Sequence, residues 1–229
     1  LLLTLSKEPL NEENHRVLKR GYQSAVGMIL WASRGVYPQS LYAVSQLCKL
    51  MSKPTEEAWN AAMHLIAWMY EKKTIGITFS SNGNDTPIFM SDATNKGDPT
   101  DSKRQHGHCG IWKDGCIMAL SKKLDHSSSA TAANEYMALA HATKSTIWLR
   151  QFLAELGMDS TITGPTSIYG DNNTAHQWAD EEKVTQGNMW ILQGYHYVKE
   201  MAAEEYIKVK YVNTKFNLAD LFTKAVPKE

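Results

Sequence analysis

Near Ile75 the hydrophobic period of this sequence changes from three-and-four to two, and few architectures accommodate both halves. Ahead of that point apolar residues recur in three sets: Tyr22, Ala25, Val26, Ile29 and Leu30; Leu41, Val44, Leu47, Cys48 and Met51; Trp59, Ala62, Met63, Ile66, Ala67 and Tyr70. Each set falls on one side of a helix, so three amphipathic helices are predicted behind a polar lead over 7–14 that Pro9 breaks. Thr55, followed by Glu56 and Glu57, is the expected cap of the third. Beyond Ile75 strands are predicted over 75–79 and 87–92, and runs at 108–113 and 116–121 flank Asp114-Gly115, a hairpin signal. A helical period then runs over 130–156 and stops at Gly157. A strand over 166–169, helices over 172–182 and 188–203, a strand over 206–212 and a short helix from Leu218 follow. This order predicts an α/β chain: a mixed sheet flanked by helices (75–229), preceded by a small helical segment (1–74).

Lysine plus arginine and aspartate plus glutamate both total 24, so the net charge is zero and any contact with a polyanion must be local. Three cysteines without a C-x-x-C pair offer no disulfide framework, and a reducing, intracellular compartment, cytoplasmic or nuclear, is expected. His106, His108, Cys109 and Cys116 invite a zinc site. A two-residue turn at Asp114-Gly115 would set Cys109 opposite Leu120, however, and hold the thiols apart along the ladder. No membrane span is expected, because about 18 consecutive apolar residues never occur. The apolar opening over 1–5 is too short for a signal-peptide core. Trp148, Trp178 and Trp190 read as core or interface anchors.

Four acids stand at telling places. Asp92 prolongs the apolar row of Ile88 and Met90 along a strand. Glu135 opens a stripe of Ala132, Leu139, Ala142, Thr146, Leu149, Leu153 and Leu156 on the long helix. Asp171 ends a strand where a helix begins, and Asp220 lies in the first turn of the last helix. Each has an ordinary explanation as a solvated strand end, a helix cap or a charge serving a helix dipole. Gathered at one end of a sheet they would repel one another unless cations intervened. All-oxygen ligation suits magnesium, or manganese, rather than zinc.

Ser91-Asp92-Ala93, Ser121-Lys122-Lys123, Asn134-Glu135-Tyr136-Met137-Ala138-Leu139-Ala140, Trp148-Leu149-Arg150-Gln151-Phe152-Leu153, Tyr169-Gly170-Asp171-Asn172, Tyr195-His196-Tyr197-Val198-Lys199-Glu200 and Asn217-Leu218-Ala219-Asp220-Leu221-Phe222-Thr223-Lys224 occur in this order. Together they resemble the ribonuclease H domain of copia-type retrotransposon polyproteins. Upstream, Tyr22-Gln23-Ser24-Ala25-Val26-Gly27 and Tyr42-Ala43-Val44-Ser45-Gln46-Leu47 resemble the connection from the reverse transcriptase. The resemblance implies a ribonuclease H fold, an acidic tetrad of Asp92, Glu135, Asp171 and Asp220 holding two magnesium or manganese ions, and cleavage of the RNA strand of RNA–DNA hybrids. Lys122, Lys123, Asn172, Asn173 and Lys215 are the expected nucleic-acid contacts, with Lys103, Arg104, Lys208, Lys210 and Lys224 as further surface cations. Partners implied are the hybrid and the remainder of a polyprotein or a larger assembly.

The sequence also departs from that pattern. Asn95-Lys96-Gly97 stands where the family usually has a tryptophan, Gly187 to Leu192 where it usually has a basic, histidine and acidic cluster, and Thr214-Lys215-Phe216 where cellular and retroviral relatives place a histidine. No paired-aspartate polymerase motif occurs, so no DNA synthesis is expected from this chain. The competing reading is a non-catalytic retroelement fragment serving as a scaffold through its helical front. A DNA-cutting transposase or resolvase is a third.

Overall fold

A computed structural model describes residues 3, 5, 6, 8–99, 102–125, 130–173 and 192–225. The chain forms two units, Leu1–Ile77 with Asp98–Ser102 and Thr78–Gly97 with Lys103–Glu229.

The first unit is helical: α1 (Glu12–Lys19), α2 (Tyr22–Gly35), α3 (Leu41–Cys48) and α4 (Glu56–Glu71). The last three are those predicted from periodicity, and Tyr22, Val26, Ile29, Val44, Leu47 and Ala62 from their apolar faces meet in one core. The Tyr22 hydroxyl, buried in that core, donates to the Leu47 carbonyl at 2.9 Å. Thr55 caps α4 by accepting from the Ala58 amide. Helix α1 begins inside the expected polar lead, taking its last three residues, 12–14. It buries Val17 completely but shows almost no apolar period, and it is held at its start by a reciprocal cap between Asn11 and Asn14. Arg16 and Arg20 both reach Glu56 on α4.

The second unit is built on β1 (Ile88–Ala93), β2 (Gln105–Trp112), β3 (Gly115–Lys123), β4 (Thr166–Gly170) and β5 (Ile207–Tyr211), in the order β3-β2-β1-β4-β5. β1, β2 and β3 are antiparallel neighbours, whereas β4 runs parallel to both β1 and β5. Helix α5 (Thr131–Glu155) packs on the sheet, and α6 (Leu192–Ala203) packs against α5. Their core comprises Phe89, Tyr136, Leu139, Ile168, Val198 and Ile207, among others. This mixed sheet flanked by helices, behind a helical segment, is the expected fold class.

Several local expectations are corrected. Residues 75–79 form no strand; the Phe79 ring instead lies where Gly115 has no side chain, since a Cβ there would fall 2.4 Å from it. The hairpin turns at Lys113-Asp114, both with positive φ as a type I′ turn requires, so that Trp112 faces Gly115. A register shift after Gly110 then sets Cys109 opposite Ala119 rather than Leu120. Leu156 leaves the α5 stripe and is 58% exposed, because the helix stops at Glu155 ahead of the left-handed Gly157. Trp148 is 53% exposed and stacks on Phe152. Most of the helix expected over 172–182, the start of the one over 188–203, Trp178 and Trp190 lie outside the described residues. Among the described residues, no helix is long and apolar enough to cross a membrane.

Candidate active site

Parallel pairing sets Met90 of β1 level with Tyr169 of β4. Two residues further along each strand's direction, Asp92 and Asp171 therefore stand side by side at the carboxyl ends of neighbouring strands, where open sheets place their sites. The third acid arrives from the end of the chain. Asn217 donates to the Ser91 carbonyl at 3.0 Å while its own side-chain oxygen accepts from the Ala219 amide, and this fastens the 3-10 turn Leu218–Phe222 against β1. Asp220 sits in that turn. One carboxylate oxygen from each of Asp92, Asp171 and Asp220 lies within 4.8 Å of the other two.

Asp92 is buried for a reason other than the one expected. The fully buried residue of β1 is Phe89, on the face that meets α5, whereas Ile88 and Met90 are only partly covered. Asp92 lies on the opposite face, beneath the 3-10 turn, and accepts a hydrogen bond from the Thr223 hydroxyl. The turn comes this close because Gly107, paired with Asp92 across the ladder, has no side chain: a Cβ there would fall 2.4 Å from Phe222 Cβ. Gly107→Ala is accordingly expected to cost about 1–3 kcal/mol in chemical denaturation. Gly164→Ala, where nothing lies within 4 Å, is expected to change stability by less than about 0.5 kcal/mol. Equal effects would refute the close-approach account.

Glu135 projects from the first turns of α5 and accepts from the Ala93 amide at 3.0 Å. Burial, reinforced by the charges of Asp92 and Asp171, raises its carboxyl to about 9, against the opposing hydrogen bond from Ala93. Burial likewise raises Asp92 to about 7; Asp220 and Asp171 add to the rise, while Thr223 and Lys224 oppose it. Four carboxyl groups therefore share one electrostatic pocket, although only the three aspartates converge to ligating distance. Thr214 donates to Asp171 at 2.7 Å, and Lys224 pairs with Asp220 at 2.7 Å. The other oxygen of Asp220, Oδ1, is buried without a hydrogen-bond partner. An orphaned buried acceptor between crowded carboxylates is the arrangement a hard divalent cation satisfies, and the all-oxygen donor set suits magnesium or manganese.

The expected nucleic-acid contacts are distributed unequally. Asn172 joins Ser91, Glu135, Leu139, Gly170, Asp171 and Val209 around a pocket beside the acids. Asn173 follows it and is exposed. Lys215 is exposed next to Thr214. Lys122 and Lys123 lie two strands from β1 on β3, at the same end of the sheet as Asp92, and Lys122 is 3.8 Å from Asp125. His106 and His108 are buried beneath α5, where burial lowers them to about 2 and about 4 and keeps them neutral. Among the described residues, the histidines and cysteines form no group of three or more able to share an ion. Sequence reasoning missed the hydroxyls of Thr223 and Thr214 and the role of Asn217. The signal for Asn217 and Thr223 was their place in the motif around Asp220, and Thr214 stood in a segment that departs from the family pattern.

No protein-family model matches the chain. It is 29% identical over 219 residues to the retrovirus-related Pol polyprotein from transposon TNT 1-94 of Nicotiana tabacum, covering 95% of this chain and 16% of that protein. The polyprotein from transposon RE2 of Arabidopsis thaliana is 27% identical over 204 residues, covering 89% of this chain and 14% of that protein. The secreted RxLR effector protein 161 of Plasmopara viticola is 30% identical over 128 residues, which are 56% of this chain and 90% of that protein. Among solved structures, LC11-RNase H1 in complex with RNA/DNA hybrid aligns with a TM-score of 0.45 at 15% identity, over 60% of this chain and 94% of its own. The N-terminal RNase H domain of Rv2228c from Mycobacterium tuberculosis gives 0.42 at 15%, over 60% of this chain and 90% of its own.

Proposed function

We propose that the sheet unit of this chain, whose homologues include the retrovirus-related Pol polyproteins of plant transposons, is a metal-dependent endonuclease that hydrolyses the RNA strand of RNA–DNA hybrids. The observation that carries this reading is the convergence of Asp92, Asp171 and Asp220 within 4.8 Å at the carboxyl ends of parallel strands. Magnesium or manganese, when bound, supplies charge stabilisation for in-line attack by water on a phosphodiester. The chain's own residues prepare for that chemistry. Asp92 and Asp171 are the ligands fixed by the sheet, Asp220 is the ligand fixed by the 3-10 turn, and Glu135 closes the pocket from α5. Asn172 offers hydrogen bonds to a phosphate or sugar beside them, and a shallow RNA groove presents 2′-hydroxyls to such groups. Lys122, Lys123, Asn173 and Lys215 are assigned to backbone phosphates. The region over 1–74 is assigned to a reverse transcriptase connection, and the remainder of a polyprotein is the partner it would join.

The test is incubation of the folded chain with a hybrid labelled separately on each strand, in magnesium and then in manganese. Cutting of the RNA strand alone, leaving 3′-hydroxyl and 5′-phosphate ends, is expected, with duplex DNA untouched. A folded chain that cuts neither strand in either metal would replace this reading with the scaffold.

A further inference from the structure

One cation of the chain belongs to the acidic site without an assigned part in it. Lys224 stands one turn beyond Asp220; its amide donates to the Asp220 carbonyl at 3.2 Å, and its ammonium lies 2.7 Å from Asp220 Oδ2. The lysine side chain is 50% exposed and that of Asp220 is 20% exposed. The ammonium is thus attached at the mouth of the cluster by a stem that can leave it without disturbing the backbone. A lysine head is a compact point charge rather than a planar fork, and so it imitates a small cation well and clamps a carboxylate poorly. It also brings only one charge to a pocket of three converging aspartates, and it leaves Asp220 Oδ1 unsatisfied.

We propose that Lys224 is a built-in competitor for the divalent ion: its ammonium holds Asp220 in the metal-free protein and is displaced into solvent when the ion binds, which sets the metal concentration at which the site loads. This rests on the nuclease reading only in taking the three aspartates as ligands. A lysine that merely positioned Asp220 for the metal would have the opposite effect when removed, and that difference makes the idea testable.

Calorimetric titration of the full chain with magnesium, paired with thermal melting across the same titration, decides it for wild type, Lys224→Met and Lys224→Arg. Removing a partly exposed ion pair that the metal must break is expected to tighten magnesium binding roughly threefold to fivefold in Lys224→Met. That variant should melt below wild type without metal and converge on it at saturation. Lys224→Arg, whose forked guanidinium grips a carboxylate more firmly, is expected to bind magnesium no more tightly than wild type. Weaker or unchanged binding in a Lys224→Met protein with a native far-ultraviolet spectrum would overturn the competitor. Should that variant fail to fold, tighter binding in Lys224→Arg would overturn it instead. A wild type that takes up neither magnesium nor manganese removes the nuclease reading and the competitor together, a result distinct from either of these.

Discussion

Asp92→Asn and Glu135→Gln are each expected to lower cleavage of an RNA–DNA hybrid by on the order of a thousandfold and, at the same time, to raise the melting temperature of the metal-free protein at pH 8. Under the proposed function, the loss follows from removing a charge that would hold or face the ion. Several kcal/mol of transition-state stabilisation are at stake, and each tenfold in rate corresponds to about 1.4 kcal/mol. The gain in stability follows from the pocket itself. Burial and neighbouring charges raise Asp92 from 3.8 to about 7 and Glu135 from 4.5 to about 9. Folding therefore favours the protonated carboxyls. Their contribution is fully present below the unfolded values near 4 and is lost as pH rises, through about 7 for Asp92 and about 9 for Glu135. Metal-free wild type should accordingly melt progressively lower from pH 5 to pH 9, and magnesium should restore more stability at the upper end. Each variant should flatten its share of that slope. Cleavage is read in single turnover and stability by thermal denaturation in chelator; variants that melt lower than wild type at pH 8 would remove the argument from burial.

Phe89→Ala is expected to destabilise the sheet unit by about 3–5 kcal/mol in guanidinium unfolding, the largest stability effect expected from a single truncation here. Its ring is fully buried at the centre of the core that joins β1 and β4 to α5. Gly110 lies opposite it on β2, and a Cβ there would fall 2.9 Å from the ring, so the aromatic group fills space that its neighbour's side chain would otherwise take. Deleting it leaves a cavity in the core that the sheet shares with α5, and the strands around it cannot collapse far without breaking the ladder. The same helix carries Glu135, so weaker metal-induced stabilisation is expected to accompany the loss. Leu156→Ala, 58% exposed on the same unit, should change stability by less than about 0.5 kcal/mol. A Phe89→Ala effect as small as that of Leu156→Ala would displace Phe89 from the centre of the core.

What could be read ahead of the structure was whatever repeats along the chain or ends an element. The three-and-four spacing located α2, α3, α4 and α5, and short apolar runs bounded by turn residues located all five strands to within a few residues. Helix α1 escaped because Val17 is the one apolar residue that it buries in the core, too few to show a period, and its cap and the arginines reaching Glu56 leave none either. The false strand at 75–79 had the right residues but no partner strand, and Phe79 found its contact on a glycine instead. The hairpin was right in existence and wrong by one residue, since Gly115 is required for that contact while Lys113 and Asp114 adopt the positive φ of the turn.

The acidic site divides along the same line. Local pattern singled out Asp92, Glu135, Asp171 and Asp220 as acids at the end or on the stripe of an element, and the resemblance to the ribonuclease H domain joined them as one set. Their convergence was decided by pairing and packing between segments far apart in sequence: β1 beside β4, and the 3-10 turn seated on Gly107. The same packing chose Thr223, Thr214 and Lys224 as their partners. Periodicity reports which side of an element is apolar, but a hydrogen bond or an ion pair depends on distances of a few ångströms between elements, and only the folded chain sets those.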